Sequence, residues 1–261
     1  MDVAQLHGAL IDNVRTWVQT GSEVLKKPYG FIVRDLRHPL VYDSNLAWVD
    51  VAPPGGAELI LDDLDAAFLE DGIDHRLVLF ADADIAYAEQ EAFVAARFRP
   101  QADLVMAKLG LPSCIVNPDV DVKEVGRDTP EGDFHLVQMA LQAESGHTPE
   151  VSRQVYEVGR IRREALGERA FVGYLNGEPA ATYTISPRGI FADVSNVGTL
   201  PRFRMRGIGR TMIFHACTTA ASAGCEYVLL TADLFDTPQA MYKTLGFEPV
   251  GELRGFLRKT T

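Results

Sequence analysis

The amino-acid sequence predicts an α/β (α+β) fold in which a mixed central β-sheet is flanked by helices. Short apolar or alternating runs typical of strands recur along the chain, and segments with apolar residues at helical spacing separate them. The order strand, helix, strand, helix, strand occurs in both halves of the chain. The 261 residues are 47% hydrophobic and 23% charged, which is an ordinary globular composition, and their number suffices for two small domains.

The first predicted domain covers residues 1–112. Its predicted elements are a helix over 3–18, strands over 29–34 and 46–51, a helix over 57–70, a strand over 75–80, a helix over 85–98 and a strand over 103–108. The turn-rich segment 110–118 ends in Asn-Pro and is the predicted linker.

The second predicted domain covers residues 119–261. It begins with a strand over 120–125, helices over 134–143 and 150–166, and a hairpin of strands 170–175 and 180–186, whose turn Asn176-Gly177 is a favoured dipeptide. A strand over 191–199, a helix over 208–221, a strand over 226–231, a helix over 238–245 and a last strand over 250–257 follow.

A glycine- and arginine-rich turn, Val-Gly-Thr-Leu-Pro-Arg-Phe-Arg-Met-Arg-Gly-Ile-Gly-Arg over 197–210, joins a strand to a helix. The first N–H groups of a helix have no partner inside it and carry partial positive charge, so such a turn favours an anion, most naturally a phosphate. Gly207 and Gly209 would let the ligand approach the backbone. The turn has no Gly-Lys-Ser/Thr triplet and no third glycine of Gly-x-Gly-x-x-Gly, which disfavours the two commonest nucleotide loops.

The spacing Arg204-x-x-Gly207-x-Gly209 resembles the acetyl-CoA pyrophosphate loop of the GNAT superfamily of N-acetyltransferases. Further along, Ala-Met-Tyr-Lys-Thr-Leu-Gly-Phe over 240–247 resembles the closing signature of that family, in which a tyrosine precedes Leu-Gly-Phe. The resemblance implies a GNAT fold, acetyl-CoA as cosubstrate, and transfer of the acetyl group to a primary amine of a small molecule or peptide by direct attack. The alternative is a non-catalytic acyl-CoA-binding or regulatory module, which the retained tyrosine disfavours.

The same resemblance implies which residues hold the cosubstrate. The backbone of Val197 and Thr199 would pair with the pantetheine arm as if it were an added strand, and the N–H groups from Met205 to Arg210 would hold the pyrophosphate. The predicted cofactor-binding residues are therefore Val197, Thr199, Arg204, Met205, Arg206, Gly207, Ile208, Gly209 and Arg210.

Two catalytic residues are predicted. Tyr242 is the expected acid, because a phenol with a pKa of about 10 can return a proton to a leaving thiolate. Asp193, on the strand that leads to the turn, is the expected base, acting directly or through water, although alternation alone does not say which face of the sheet it occupies. Glu144 and His147 are alternatives, since they lie in the loop of a helix–loop–helix that forms one wall of the acceptor site in this superfamily.

The N-terminal domain is interpreted as a degenerate copy of the same fold, a tandem arrangement that the superfamily uses; the alternative is an unrelated α/β cap domain. In place of the phosphate loop it has Ala-Pro-Pro-Gly-Gly-Ala over 52–57, which lacks arginine and Gly-x-Gly, and its two prolines remove two N–H donors. Phe93 or a neighbour stands in place of the tyrosine. We expect that this copy does not bind CoA.

Composition excludes several other classes. A net charge of −11 disfavours nonspecific nucleic-acid binding. The sequence has no apolar run of about 18 residues and no basic start typical of a signal peptide, so we expect no membrane association and a cytoplasmic location. Three cysteines without Cys-x-x-Cys, and histidines without His-x-x-x-His, predict neither disulfide nor metal site. The acceptor amine, the acyl-chain preference and the oligomeric state, including a homodimer, stay open.

Overall fold

The computed structural model describes residues 1–234 and 238–259. The chain forms two compact units, one of Met1–Leu104 with Gly251–Thr261 and the other of Val105–Val250. The second unit therefore ends earlier than the predicted domain 119–261, because the last strand packs with the first unit. No helix in the described residues is both long and apolar enough to cross a lipid bilayer.

The first unit contains strands of a mixed β-sheet together with helices. Its elements are α1 (Val3–Gln19), β1 (Glu23–Lys27), β2 (Gly30–Arg34), β3 (Leu46–Val49), α2 (Gly56–Phe68), β4 (His75–Phe80), α3 (Ala83–Ala95) and, at the chain end, β11 (Glu248–Lys259). The strand order is β1-β2-β3-β4-β11, with β3 and β4 parallel and the other neighbours antiparallel. The sequence does not predict β1, because this short edge strand is mostly charged and exposed. The strand β5 (Arg99–Leu109) contains the boundary between the units.

The second unit carries the predicted glycine- and arginine-rich turn. Its elements are β6 (Val120–Glu124), α4 (Glu131–Glu144), α5 (Pro149–Leu166), β7 (Arg169–Leu175), β8 (Glu178–Arg188), β9 (Phe191–Thr199), α6 (Ile208–Ser222), β10 (Tyr227–Asp233) and α7 (Pro238–Thr244). The strand order is β10-β9-β8-β7-β6, with β9 and β10 parallel and the other neighbours antiparallel. All of these elements match the predicted ones to within a few residues.

Both units have the same topology. In each, a helix (α1 or α5) leads into an antiparallel meander (β1-β2-β3 or β7-β8-β9), and a second helix (α2 or α6) connects the meander to a parallel strand (β4 or β10) and a third helix (α3 or α7). The predicted duplication is thus present in the order and the pairing of the strands.

The two faces of the second sheet differ in polarity. Towards α6, β8 and β9 present apolar or aromatic side chains, and Tyr183 Oη lies 2.8 Å from Nδ1 of His215 on that helix. Towards α4, the neighbouring positions are polar, and Gln138 Nε2 of α4 donates to Thr182 Oγ1 at 2.8 Å. The buried polar residues of this second face are Thr182, Thr184, Ser186 and Asp193. Because burying polar groups is costly, a polar face under helices indicates a site rather than a core.

Candidate active site

The turn between β9 and α6 exposes its backbone. A 3-10 turn, Pro201–Phe203, follows β9 and buries the Phe203 ring, and the chain from 204 to 207 is exposed. Met205 (φ 61°) and Gly207 (φ 76°) both adopt left-handed backbone conformations. The Met205 side chain is fully exposed, so burial of this side chain does not account for its unfavourable conformation. The left-handed pair turns the chain directly into the first turn of α6.

Six consecutive backbone N–H groups, from Met205 to Arg210, donate to no acceptor within the described part of the chain. Gly207 is the N-cap of α6 and offers no side chain that could satisfy them. The first helical bond runs from Thr211 N to Gly207 O at 3.1 Å. A row of free donors at a helix N-terminus is the backbone arrangement that binds phosphate groups.

The arginines of the turn have different roles. Arg204 makes a bidentate ion pair with Glu144 at the end of α4, at 2.7 and 2.6 Å, and its Nε donates to the Thr199 carbonyl at 3.0 Å. Arg206 and Arg210 have no carboxylate partner among the described residues. The positive charge available to an anion therefore comes from Arg206 and Arg210, while the charge of Arg204 is balanced by Glu144.

The two alternative bases are also engaged. Glu144 is held by Arg204, as described above. His147 lies in the exposed loop after α4, where its Nδ1 contacts Oε1 of Gln142. Neither side chain is buried.

The strands β9 and β10 pair only at their beginnings. Their ladder joins three residue pairs, from Phe191–Tyr227 to Asp193–Leu229, whereas β9 continues to Thr199 and β10 to Asp233. The edge of β9 that faces β10 is therefore unpaired with that strand after Asp193. An extended ligand can add to such an edge through main-chain hydrogen bonds.

A β-bulge lies in this open part of β9. The register between β8 and β9 shifts by one extra residue of β9 between Thr182 and Thr184. At the bulge Asn196 adopts φ 52°, and its Nδ2 donates to Thr184 Oγ1 at 3.1 Å. Val197, one of the two predicted partners of the pantetheine arm, lies in the bulge. The other, Thr199, already accepts a hydrogen bond from Arg204 through its carbonyl.

Asp193 lies at the point where the two strands separate. It is opposite Ser186 in the antiparallel ladder and therefore shares that residue's face of the sheet, the polar face that α4 covers. The residue interacts with other groups of the protein and is 9% exposed. The pairing of β8 with β9 thus shows which face of the sheet Asp193 occupies, which the alternation in the sequence left open.

Tyr242 lies on α7 and is 5% exposed. Burial raises the pKa of its phenol to about 12, and the hydroxyl makes no hydrogen bond to another described residue. Its neighbour Met241 lies beside the turn: a β-carbon built on Gly209 would be 3.4 Å from Met241 Sδ and 3.9 Å from Thr199 Oγ1. The end of β9, the start of α6 and α7 therefore meet at Gly209.

Two groups were missed by sequence reasoning. Glu168 follows α5, and its carboxyl group forms a hydrogen bond with the side chain of Thr184. Burial raises the pKa of this carboxyl group, while the hydrogen bond and the charges of Arg163 and Arg188 act in the opposite direction. Asn117, predicted only as part of a linker, donates through Nδ2 to the Arg206 carbonyl at 2.8 Å. The contacts that distinguish these two residues join segments far apart in the sequence, so no local pattern indicates them. In the sequence Glu168 is one of 36 acidic residues.

The corresponding turn in the first unit is arranged differently. There the N–H of Ala57, in the first turn of α2, donates to Oε2 of Glu89 on α3 at 2.9 Å. A carboxylate of the chain itself lies where an anionic ligand would bind. Among the described residues of the whole chain, no group of three His, Cys, Asp or Glu side chains could hold a metal ion.

Residues 138–247 match the model of the acetyltransferase (GNAT) family, and this part of the chain is a GNAT domain. The match contains the turn, Asp193 and Tyr242. No curated protein matches the chain.

Solved structures share the fold over nearly the whole chain. A GCN5-related N-acetyltransferase from Kribbella flavida is 16% identical with a TM-score of 0.65, over 97% of this chain and 95% of that one. A functionally unknown conserved protein from Staphylococcus epidermidis is 17% identical with a TM-score of 0.69, over 93% and 96%. A tandem GNAT protein from the clavulanic acid biosynthesis pathway is 13% identical with a TM-score of 0.53, over 99% and 96%. At these identities the comparisons establish the fold, including its tandem form.

Proposed function

We propose that this chain is an acetyl-CoA-dependent N-acetyltransferase that acetylates a primary amine of a small molecule or peptide by direct attack. The observation that carries the proposal is the row of six backbone N–H groups from Met205 to Arg210, which have no acceptor within the described chain. The GNAT family match over 138–247 supports it independently.

The residues of the turn fit a diphosphate. Backbone donors, the dipole of α6 and the charges of Arg206 and Arg210 are all favourable to an anion, and the nearby Glu144 is neutralised by Arg204. Acetyl-CoA, when bound, supplies a thioester carbonyl carbon to which the amine forms a C–N bond as the C–S bond breaks. The open edge of β9 beyond Asp193 offers main-chain groups to an extended arm.

The catalytic roles fall to two side chains of the second unit. Tyr242 holds a proton at Oη that its raised pKa retains at neutral pH, and it is the proposed acid. Asp193 is the proposed base, because a carboxylate at the separation of β9 and β10 can accept the proton that the incoming ammonium must lose, directly or through water. The acceptor is proposed to bind on the polar face beside Asp193, where Thr184, Ser186 and Glu168 offer hydrogen bonds.

Isothermal titration of acetyl-CoA into the full chain tests the cosubstrate. We expect one site per chain, weakened at least tenfold by Arg210→Glu, which reverses a charge beside the row of donors. Arg202→Glu is the matched control: it makes the same change in net charge at a residue that pairs with Glu178 at 3.2 Å outside the row. Equal weakening by both variants would mean that overall charge alone governs binding, and no binding by the unchanged chain would refute the proposal.

Release of free thiol from acetyl-CoA in the presence of a panel of amines then separates catalysis from binding. Acetylation of any amine, dependent on Tyr242, supports the enzyme. Tight binding without thiol release on the whole panel would favour the alternative, a non-catalytic acyl-CoA-binding module.

A further inference from the structure

The segment before β6 packs behind the turn that precedes α6. Asn117 makes hydrogen bonds there through both its side chain and its backbone. Its Nδ2 donates to the Arg206 carbonyl at 2.8 Å, its backbone N–H donates to Thr211 Oγ1 at 2.8 Å, and its Oδ1 accepts from the N–H of Asp119 at 2.9 Å. A β-carbon built on Gly207 would lie 3.7 Å from the Asn117 side chain. One side chain thus ties the predicted linker to the N-cap of α6.

The bond to the Arg206 carbonyl fixes the direction of a neighbouring donor. In a trans peptide the C=O and the following N–H point in opposite directions within one plane. The peptide between Arg206 and Gly207 is trans, so holding its oxygen on the Asn117 side directs the Gly207 N–H to the other side, into the row of free donors. Glycine at φ 76° has wide backbone freedom, which makes an external tie necessary to hold this orientation.

Thr211 supplies a second tie on the same side. Its hydroxyl donates to the Gly207 carbonyl at 3.1 Å while it accepts from the Asn117 backbone N–H. Two successive carbonyls, those of Arg206 and Gly207, are therefore held by hydrogen bonds that involve Asn117 directly or through Thr211. Both peptide planes at the start of α6 are fixed before any ligand arrives, and such preorganisation raises affinity because less ordering is needed on binding.

We propose that Asn117 is a positioning residue that orients the pyrophosphate-binding backbone of the turn. This inference rests on the proposed acetyl-CoA site. The role requires an asparagine, because the side chain must donate to Arg206 and accept from Asp119 at the same time, and a carboxylate can only accept.

Titration of acetyl-CoA into three variants of the full chain, together with their thermal unfolding, tests the role. Asn117→Ala removes both side-chain bonds and is expected to raise the Kd about tenfold, corresponding to loss of one net hydrogen bond in the binding site. Asn117→Asp keeps an oxygen that can accept from the Asp119 N–H, but it replaces the donor to the Arg206 carbonyl by a second oxygen, which repels that carbonyl. This variant is expected to raise the Kd by more than tenfold. Asp119→Ala retains the backbone N–H that donates to Asn117 Oδ1, and it is expected to change the Kd less than twofold.

A rise in Kd for the two Asn117 variants, with melting temperatures close to that of Asp119→Ala, supports the positioning role. If the unchanged chain binds acetyl-CoA and Asn117→Asp binds it equally well, the inference is wrong while the proposed function stands. Equal weakening by Asp119→Ala would also overturn it, since the segment as a whole would then be responsible. If the unchanged chain does not bind, the proposed function fails first.

Discussion

Tyr242 combines a buried phenol with a position next to the turn. Burial raises its pKa to about 12, so the phenol stays protonated in the pH range near 10 in which a primary amine loses its proton. We predict that Tyr242→Phe lowers thiol release by well over tenfold and leaves the Kd for acetyl-CoA within about twofold, since only a hydroxyl is lost.

The pH dependence of the rate of thiol release by the unchanged chain gives a second check on the same residue. With the pKa raised to about 12, loss of the phenol proton should not reduce the rate near pH 10, so a falling alkaline limb centred near 10 would contradict the raised pKa of Tyr242. An unchanged rate in Tyr242→Phe would remove the role altogether.

At this scale the sequence predicts residue types better than their partners. The spacing of Arg204, Gly207 and Gly209 correctly indicates a turn into a helix N-terminus, because the signal is local. That Arg204 pairs with Glu144, sixty positions away, depends on how α4 packs near the turn. Which face of the sheet Asp193 occupies follows from its pairing with Ser186. The alternation of residues along one strand does not contain this information.

The helices α2 and α6, which connect parallel strands in the two units, begin in different electrostatic surroundings. In the first unit Glu89 of α3 places a carboxylate at the first turn of α2. In the second unit Met241 of α7 lies beside Gly209 in the first turn of α6, and a thioether brings no charge. At the start of the connecting helix, the first unit thus has a carboxylate of its own chain, whereas the second unit has no such carboxylate from its third helix.

A carboxylate introduced at residue 241 should therefore compete with an anionic ligand at the start of α6. We predict that Met241→Glu raises the Kd for acetyl-CoA at least tenfold, because a carboxylate beside the row of N–H groups competes with and repels the pyrophosphate. Met241→Gln, of the same length and uncharged, should bind within about threefold of the unchanged chain. Titration at low salt measures both; equal losses would show that the shape of residue 241, and not charge, controls the site.

Across the whole molecule, the duplicated topology is predictable from the order of elements, but the end of the chain is not. The run 250–257 has the pattern of a strand, and its predicted place was the second domain. In the structure β11 pairs with β4 over six residue pairs, from Arg254–Phe80 to Lys259–His75. Strand propensity is local, whereas the choice of partner is decided by side chains distant in sequence.

The aromatic side chains of the first unit explain why β11 belongs there. Phe256 is 2% exposed, stacks on Phe93 with ring centroids 4.6 Å apart, and meets the edge of Phe80 at 5.8 Å. These rings come from three elements, α3, β4 and β11. Truncating one of them leaves a cavity among the other two, which typically costs about 3–5 kcal/mol.

We therefore predict that Phe256→Ala lowers the free energy of unfolding of the first unit by about 3 kcal/mol or more. Both tryptophans of the chain, Trp17 and Trp48, lie in that unit, so tryptophan fluorescence during urea unfolding reports on it directly. Leu257→Ala, a half-buried neighbour on the same strand, should cost less. Because every predicted acetyl-CoA residue lies in Val105–Val250, the Kd for acetyl-CoA should stay within about twofold of that of the unchanged chain under native conditions. An unchanged tryptophan transition in Phe256→Ala would mean that β11 does not stabilise the first unit.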